Sequence, residues 1–253
     1  MHLSDKQIER YQHHITLKDI GGEGQKRLLD SKILIVGAGG LGSPAAFYLA
    51  AAGIGTIGII DDDRVELSNL QRQILHSTKD IGKVKVDSAK EKMQALNPEV
   101  RVNAHAMRLY QDNINSVIAD YDFILDASDN FPTKYLINDV CVVKGRAFSH
   151  GGVVGLKGQA FTYVPQSMCY RCIFPEPPPS GIILDCRGVG ILGAVAGIIG
   201  TIQATEAIKF ILKRGSLLTD QMLTFDALAM EFRKIKLNKS NQCPLCGHRR
   251  MMT

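Results

Sequence analysis

A glycine-rich turn between an apolar strand pattern and a helical pattern constrains this chain more than any other feature. The segment Gly37-Ala38-Gly39-Gly40-Leu41-Gly42 fits G-x-G-x-x-G, follows an apolar run that begins at Lys32, and precedes a helical pattern over 43–52 that ends at Gly53. A second apolar run over 56–61 completes a strand–helix–strand unit. Glycines in such a turn let the backbone approach a phosphate at the helix N-terminus. The pattern predicts a nucleotide-binding α/β protein, although a tight turn without a ligand would show the same glycines.

Strand and helix patterns continue to alternate along the chain. Further strands are predicted at 100–106, 121–126, 222–225 and 231–237. Helices are predicted at 84–96, at 112–119 with Asp112 as its cap, and at 132–144. Strand-like runs over 147–164 have a predicted turn at Lys157-Gly158. This order predicts a Rossmann-like, doubly wound, mostly parallel sheet with helices on both faces, followed by a C-terminal strand segment.

We expect one integrated domain with three parts, since 253 residues suit one large α/β domain. The parts are an N-terminal helical arm (1–30, with helices over 6–20 and 25–30), a nucleotide-binding Rossmann-like core (31–165) and a C-terminal part (166–253) that holds a crossover loop.

An apolar, glycine-rich stretch over 189–202 is shorter than the roughly 20 residues of a membrane span. It predicts a buried helix over about 190–212 instead. Gly193, Gly197 and Gly200 recur in it at helical spacing, so another backbone is expected to pack closely against it.

Charge and cysteine content exclude several classes of protein. Thirty Lys and Arg against 25 Asp and Glu give a net charge of +5, which does not indicate nucleic-acid binding but suits an anionic substrate. Six cysteines are too few for a disulfide scaffold, and the first residues do not resemble a secretory leader. We therefore expect a soluble, cytoplasmic protein with reduced thiols, which binds neither nucleic acid nor membrane.

Residues that follow the second strand favour ATP over NAD. Asp61, in Asp61-Asp62-Asp63, lies about 20 residues after the glycine motif, where an acid can bind a ribose hydroxyl. Asn69, Arg72 and Lys85 come next. Cationic groups offset the charge of a triphosphate during transfer, whereas a nicotinamide site has little use for them. An NAD-dependent oxidoreductase remains the alternative, and any single cation could be an ordinary surface charge.

An acidic loop follows the predicted strand over 121–126. Asp129 lies at the carboxyl end of that strand, where ligands bind in parallel sheets, and is a candidate ligand for Mg²⁺. The other interpretation is structural, because Asp129 or Asn130 could cap the helix that begins at Pro132. The spacing supports both.

Two C-x-x-C pairs predict a structural zinc site. Four thiolates bind Zn²⁺ tetrahedrally and leave no open position for catalysis. The pairs are Cys169 with Cys172 and Cys243 with Cys246. A zinc ion held by both pairs would attach the C-terminal tail to the loop after Val164.

The two other cysteines differ in setting. Cys141 falls on the apolar stripe of a predicted helix and is expected to be inert. Cys186 is followed by Arg187 and lies near a predicted helix start, which would lower the pKa of its thiol. Cys186 is a candidate nucleophile or persulfide carrier.

These motifs, together with the segment Ser68-Asn69-Leu70-Gln71-Arg72-Gln73, resemble the ThiF/MoeB group, bacterial relatives of ubiquitin-activating enzymes. The resemblance runs from Ile8 to Gly247. It implies ATP- and Mg²⁺-dependent adenylation of the C-terminal glycine carboxylate of a ubiquitin-like sulfur carrier (ThiS- or MoaD-type), with release of pyrophosphate, for thiamine or molybdopterin biosynthesis. It further implies a homodimer, a separate sulfur-donor protein and carrier-binding strands near the C-terminus.

The resemblance also implies residue roles. Asp61 matches the ribose-binding acid, Asn69, Arg72 and Lys85 match the phosphate-contacting residues, and Asp129 matches the magnesium ligand. Arg72, Lys85 and Asp129 would act in catalysis. Cys186 matches the cysteine that some members use for sulfur transfer.

One position departs from the family pattern Arg-Tyr-x-Arg-Gln-Ile. The chain has His13 where the family has its second Arg, which reaches into the partner subunit's ATP site. Histidine is only partly charged near neutral pH and lacks the guanidinium fork. We expect weaker or more pH-dependent activity, unless Arg10 substitutes. A docking module that binds a ubiquitin-like partner without activating it is therefore a third hypothesis.

Overall fold

The fold is built on one eight-stranded sheet. A computed structural model describes residues 3–178 and 190–247. The strands are β1 (Lys32–Val36), β2 (Thr56–Ile60), β3 (Arg101–His105), β4 (Phe123–Asp126), β5 (Ala147–Val154), β6 (Lys157–Tyr163), β7 (Gln221–Asp226) and β8 (Glu231–Lys236). Their order is β3-β2-β1-β4-β5-β6-β7-β8. Strands β1 to β5 pair in parallel, and β6 to β8 add an antiparallel extension. The predicted fold class is confirmed.

Helices cover both faces of the parallel strands. They are α1 (Asp5–Arg10), α2 (Gln12–Ile15), α3 (Gly21–Asp30), α4 (Gly42–Ala52), α5 (Lys85–Leu96), α6 (Ile114–Ile118), α7 (Phe131–Lys144), α8 (Tyr170–Ile173) and α9 (Gly193–Leu212). Helices α3, α4, α5 and α9 share one hydrophobic core with alternate residues of the central strands, such as Ile33 and Ile35. Leu34 and Val36 face the opposite core, which contains residues of α6, α7 and α8. Burial on both faces explains why the central strands are continuously apolar.

The N-terminal helix is shorter than the pattern predicts. Instead of one helix over 6–20, α1 ends at Arg10. Its C-cap is Tyr11, whose ring is buried and whose backbone (φ −105°, ψ 16°) leaves the helical region. The Tyr11 ring packs against Gly53, where an added Cβ would lie 2.6 Å from the phenol oxygen. Gly53 itself has φ +82°, so it ends α4 in the left-handed conformation that glycine favours, as expected.

Two local assignments from the sequence are wrong. The N-cap of α6 is Asn113 rather than Asp112, and the Asn113 side chain instead accepts a hydrogen bond from the Tyr110 amide. The turn between β5 and β6 lies at Gly155 and Leu156, because Lys157 already pairs with Val154 in the ladder. Gly155 has φ +59°, a value that few residues other than glycine adopt.

The glycine-rich helix α9 packs against α4, β5 and β6. An added Cβ at Gly200 would lie 2.1 Å from the Leu41 carbonyl oxygen, and one at Gly193 would lie 2.4 Å from that of Gln71. Close backbone approach is thus confirmed at these two positions, whereas Gly197 faces open space. Among the described residues, α9 alone is long and apolar enough to cross a membrane, and half of that stretch is buried in the fold.

Candidate active site

The loops that follow β1 and β4 meet in the centre of the sheet. Since β2 lies on one side of β1 and β4 on the other, the connections diverge here and leave a crevice at the carboxyl ends of the strands. Gly37 is the first residue after β1 and has φ +103°. A Cβ at Gly37 would lie 2.7 Å from the Ala127 carbonyl oxygen, so the two loops are in contact and only glycine fits.

The glycine loop presents backbone donors at the start of α4. A Cβ at Gly42 would lie 1.9 Å from the Gly37 carbonyl oxygen, which shows how tightly the loop closes. Within the described ranges, the amides of Gly39 and Gly40 donate to no protein acceptor. Free amides at a helix N-terminus form a suitable cradle for phosphate groups.

Asp61 is fixed beside the glycine loop. Its carboxylate accepts hydrogen bonds from the Ala38 amide at 2.8 Å and from the Asp63 amide at 2.9 Å. Burial raises the pKa of Asp61, and the nearby Lys85 ammonium partly offsets that effect. Asp61, the first residue after β2, is therefore bonded directly to the glycine loop that follows β1.

Lys85 lies at the first position of α5 and its side chain points into the same region. Its Nζ is 2.8 Å from Asp63 Oδ2 and 4.0 Å from Asp61 Oδ1, although only 6% of the Lys85 side chain is exposed. The Lys85 amide also donates to the Asp63 carbonyl at 3.0 Å. The carboxylates of Asp61, Asp62 and Asp63 lie close enough together to hold a cation, and the Lys85 ammonium lies beside two of them.

Arg72 and Asn69 belong to the turn that packs over the glycine loop. An added Cβ at Gly40 would lie 3.4 Å from Arg72 Cγ, and Arg72 Nη1 donates to the Ser68 carbonyl at 3.0 Å. Asn69 is buried, and its Oδ1 accepts from the Glu66 amide at 3.1 Å. The Arg72 side chain therefore packs on the glycine loop at Gly40, and Asn69 lies three residues earlier in the same turn.

The helix cap expected in the acidic loop is provided by Asn130. Asn130 is the N-cap of α7, since its Oδ1 accepts a hydrogen bond from the Thr133 amide at 3.0 Å. Asp129 is exposed, and its carboxylate has a 3.4 Å contact with Asn130 Nδ2. The Asp129 carboxylate is therefore not used in capping.

A buried polar cluster beneath this loop has no sequence signature. Asp126 accepts from His150 Nδ1 at 2.9 Å, from Lys134 Nζ at 3.4 Å and from the Ser128 hydroxyl at 2.5 Å. Burial alone would raise the pKa of Asp126, but Lys134 and the hydrogen bonds from His150 and Ser128 lower it to about 2. Asp126, Lys134 and His150 come from β4, α7 and β5, so only the tertiary fold brings them together.

Two buried histidines predict acid sensitivity. Burial lowers the pKa of both His76 and His150, so the unfolded chain binds protons that the folded protein does not. Below the unfolded pKa the free energy of unfolding should therefore fall as the pH falls, by up to about 2 kcal/mol per histidine between pH 7 and pH 5. Urea unfolding at both pH values measures this loss. In His150→Gln the loss should shrink by about half, and an unchanged loss would contradict the assignment.

The four paired cysteines form one cluster. The Sγ–Sγ distances are 3.6 Å from Cys169 to Cys243, 3.4 Å from Cys172 to Cys246 and 4.0 Å from Cys169 to Cys172. Zinc at about 2.3 Å from each sulfur would place tetrahedral ligands about 3.8 Å apart, so these distances fit the ion. The Ser240 amide also donates to Cys172 Sγ at 3.5 Å, as suits a thiolate.

The remaining predicted residues are Cys141, Cys186, His13 and Arg10. Cys141 is buried in α7, which raises the pKa of its thiol to about 12, as expected for an inert group. Cys186 lies outside the described residues. His13 is exposed in α2, and Arg10 donates to the Leu96 carbonyl at 3.2 Å.

Fold and site together define a nucleotide-binding α/β protein with a four-cysteine cluster. A model of the ThiF family matches residues 11–245. The SAMP-activating enzyme E1 of Haloferax volcanii is 46% identical over 245 residues, which cover 97% of this chain and 91% of that protein. The sulfur carrier protein adenylyltransferase of Thermus thermophilus is 41% identical over 253 residues, which cover 98% and 93%.

The fold is also that of a solved structure. A crystal structure of E. coli MccB with AMPCPP and selenomethionine MccA superposes with a TM-score of 0.83 at 24% identity, and the match covers 97% of this chain and 75% of that one. The family model and the two relatives span nearly the whole chain, and this chain belongs to the ThiF family.

Proposed function

We propose that this chain is an ATP-dependent adenylyltransferase that acts on the C-terminal glycine carboxylate of a ubiquitin-like sulfur-carrier protein of the ThiS or MoaD type. The carboxylate oxygen would attack the α-phosphorus of ATP, the bond to the β-phosphate oxygen would break, and pyrophosphate would leave. The product would serve thiamine or molybdopterin biosynthesis in the cytoplasm, with a separate protein as sulfur donor. The names of the Haloferax and Thermus relatives support this class of substrate.

One observation carries the proposal: two cationic side chains and two free amides lie at or beside the glycine loop. Lys85 is 2.8 Å from Asp63 and 4.0 Å from Asp61, and Arg72 packs on Gly40. A triphosphate needs this charge, because negative charge on its oxygens must be offset when pyrophosphate leaves. A nicotinamide ring does not, so the geometry favours ATP over the NAD alternative.

The residues present suit the two metals that the family implies. Asp129 would hold Mg²⁺, since its carboxylate is exposed at the carboxyl end of β4 and is not used in capping α7. Magnesium would offset charge on the departing pyrophosphate. The four clustered thiols would hold Zn²⁺ in a closed structural site.

The C-terminal hairpin supports a docking surface for the carrier. Strand β8 is the edge of the sheet and is exposed along its whole length. Leu228 and Met230, between β7 and β8, are 80% and 72% exposed, and Phe232 stacks on Phe225 at 4.4 Å. Apolar side chains at an unpaired strand edge can take an added strand from a partner protein.

Leu228→Asp should raise KM for the carrier by about tenfold, because a charge replaces an apolar contact at the centre of a protein interface. Binding of ATP should not change. Val143→Asp is the matched control, since Val143 on α7 is also an exposed apolar residue. Steady-state kinetics with both substrates measure the effect. Equal KM values for both variants would exclude the hairpin as the docking surface.

We further propose that a second copy of the chain covers the outer face of α9. Half of this apolar helix is not buried in the single chain, and Tyr48 of the neighbouring α4 is 58% exposed. The family resemblance implies that the residue at this position reaches the partner subunit's ATP site, and the exposed His13 would occupy that place. Sedimentation analysis should show twice the mass of one chain, and a monomer at micromolar concentration would exclude the dimer.

Detection of the acyl-adenylate tests the reaction itself. The chain, ATP, Mg²⁺ and a carrier are mixed and quenched in acid, and the intact mass of the carrier is measured. The proposal expects one added AMP on the carrier and none on a carrier that lacks its terminal glycine. Unmodified carrier in every reaction, although ATP binds, would favour the docking module instead.

A further inference from the structure

One buried histidine connects the segments that carry the candidate nucleotide site. His76 is 6% exposed, and its Nε2 lies 3.0 Å from the Ala38 carbonyl oxygen. Its Nδ1 lies 3.0 Å from the Ser88 hydroxyl. A carbonyl oxygen can only accept, so Nε2 carries the proton and Nδ1 accepts from the Ser88 hydroxyl.

The three attachments of His76 lead to different parts of the site. Ala38 lies within the glycine loop, and Ser88 lies in α5 about one turn after Lys85. The His76 amide donates to the Gln73 carbonyl at 3.0 Å, in the turn that contains Arg72. His76 therefore connects the glycine loop to α5 through its side chain, and it connects to the turn that contains Arg72 through its backbone amide.

The contact with Ala38 determines where the next backbone donor points. In a trans peptide the C=O and the following N–H point in opposite directions. Because His76 binds the Ala38 carbonyl, the Gly39 amide points away from His76. The Ala38 amide donates to Asp61 at 2.8 Å, so Ala38 is held on both sides. The Gly39 amide, which donates to no acceptor in the described part of the chain, thus has a fixed direction.

We propose that His76 is a positioning residue for ATP, which holds the Ala38 carbonyl through Nε2 and so orients the Gly39 amide toward the nucleotide phosphates. This inference rests on the proposed function, because it concerns the same nucleotide. Burial, assisted by Lys85, lowers the pKa of His76 and so keeps Nδ1 free to accept from Ser88 at neutral pH. His76 itself would not touch the nucleotide.

Replacing His76 by glutamine or by asparagine distinguishes a positioning role of the side chain from a packing role. In His76→Gln the side-chain amide reaches the position of Nε2 and can still donate to Ala38, whereas in His76→Asn it reaches only the position of Nδ1. Loss of one hydrogen bond should weaken ATP binding by about tenfold in His76→Asn. Binding to His76→Gln should stay within about threefold of the parent. Calorimetry with a non-hydrolysable ATP analogue measures both, and thermal unfolding without nucleotide compares their stability.

Ser88→Ala is the control, since it removes the partner of Nδ1 and leaves the Ala38 contact in place; its ATP affinity should change by no more than about threefold. Equal affinity of the Gln and Asn variants would overturn the inference. If His76→Asn does not fold, a tenfold loss of affinity in folded His76→Gln would overturn it as well. Failure of the unaltered chain to bind the analogue would instead overturn the proposed function.

Discussion

Lys85→Met should reduce carrier-dependent adenylation by about 100- to 1,000-fold, the range seen when a preorganised electrostatic group is removed from an active site. The Lys85 ammonium is nearly buried, 2.8 Å from Asp63 and 4.0 Å from Asp61. Methionine keeps the apolar stem and removes the charge that would face the triphosphate. The variant also leaves the carboxylate of Asp61 without its main cation, so the pKa of Asp61 should rise further.

Lys83→Met is the matched control for this prediction. Lys83 lies two residues earlier, and it forms an ion pair with Glu91 on the protein surface. Surface pairs of this kind contribute little, so activity should stay within about twofold of the parent. Circular dichroism and thermal unfolding would establish that both variants fold. Comparable activity in the two variants would show that the Lys85 ammonium has no role in the reaction.

Removal of zinc should cause the largest loss of stability. The C-terminal segment that follows β8 places Cys243 and Leu245 in the core, next to α8. Zinc binding by four thiolates contributes about 10 kcal/mol in small cysteine-rich sites, and even a third of that would lower Tm by about 10 °C in a domain of this size. Cys243→Ser should therefore lose its zinc and unfold at a much lower temperature.

Cys141→Ala provides the comparison, because Cys141 is equally buried but lies outside the cluster. It should keep one zinc ion per chain and lose only about 1 kcal/mol of stability. Elemental analysis and calorimetric Tm values measure both effects. A purified parent protein that contains no zinc, with a Tm that does not change on chelation, would contradict the assignment.

The features that the sequence predicts well are those determined by neighbouring residues. The glycine motif after β1, the left-handed Gly53 and the spacing within each C-x-x-C pair depend on short-range chemistry, and the structure places them as expected. The two cysteine pairs lie far apart in sequence, and they are predicted to meet because zinc needs four ligands. The fold class follows from the alternation of apolar strand and helix patterns. The sequence does not show whether Asp129 or Asn130 caps α7, because capping depends on backbone angles that only the fold defines.

The features that the sequence does not reveal depend on contacts between distant segments. Asp126 meets Lys134 and His150 only because β4, α7 and β5 are neighbours. His76 reaches Ala38 across 38 positions of sequence. The break after α1 has the same origin, since the Tyr11 ring packs against Gly53 at the C-terminal end of α4. A lone histidine or tyrosine has no local pattern that indicates such a contact.

ATP–pyrophosphate exchange tests the central claim most directly. The chain is incubated with ATP, Mg²⁺ and labelled pyrophosphate, with a ThiS-type carrier, with a MoaD-type carrier, or with neither. Adenylation of a carrier predicts exchange that depends on at least one of them, and dependence on one alone would identify the pathway. Binding of ATP with no exchange in the presence of either carrier would contradict the proposed activity.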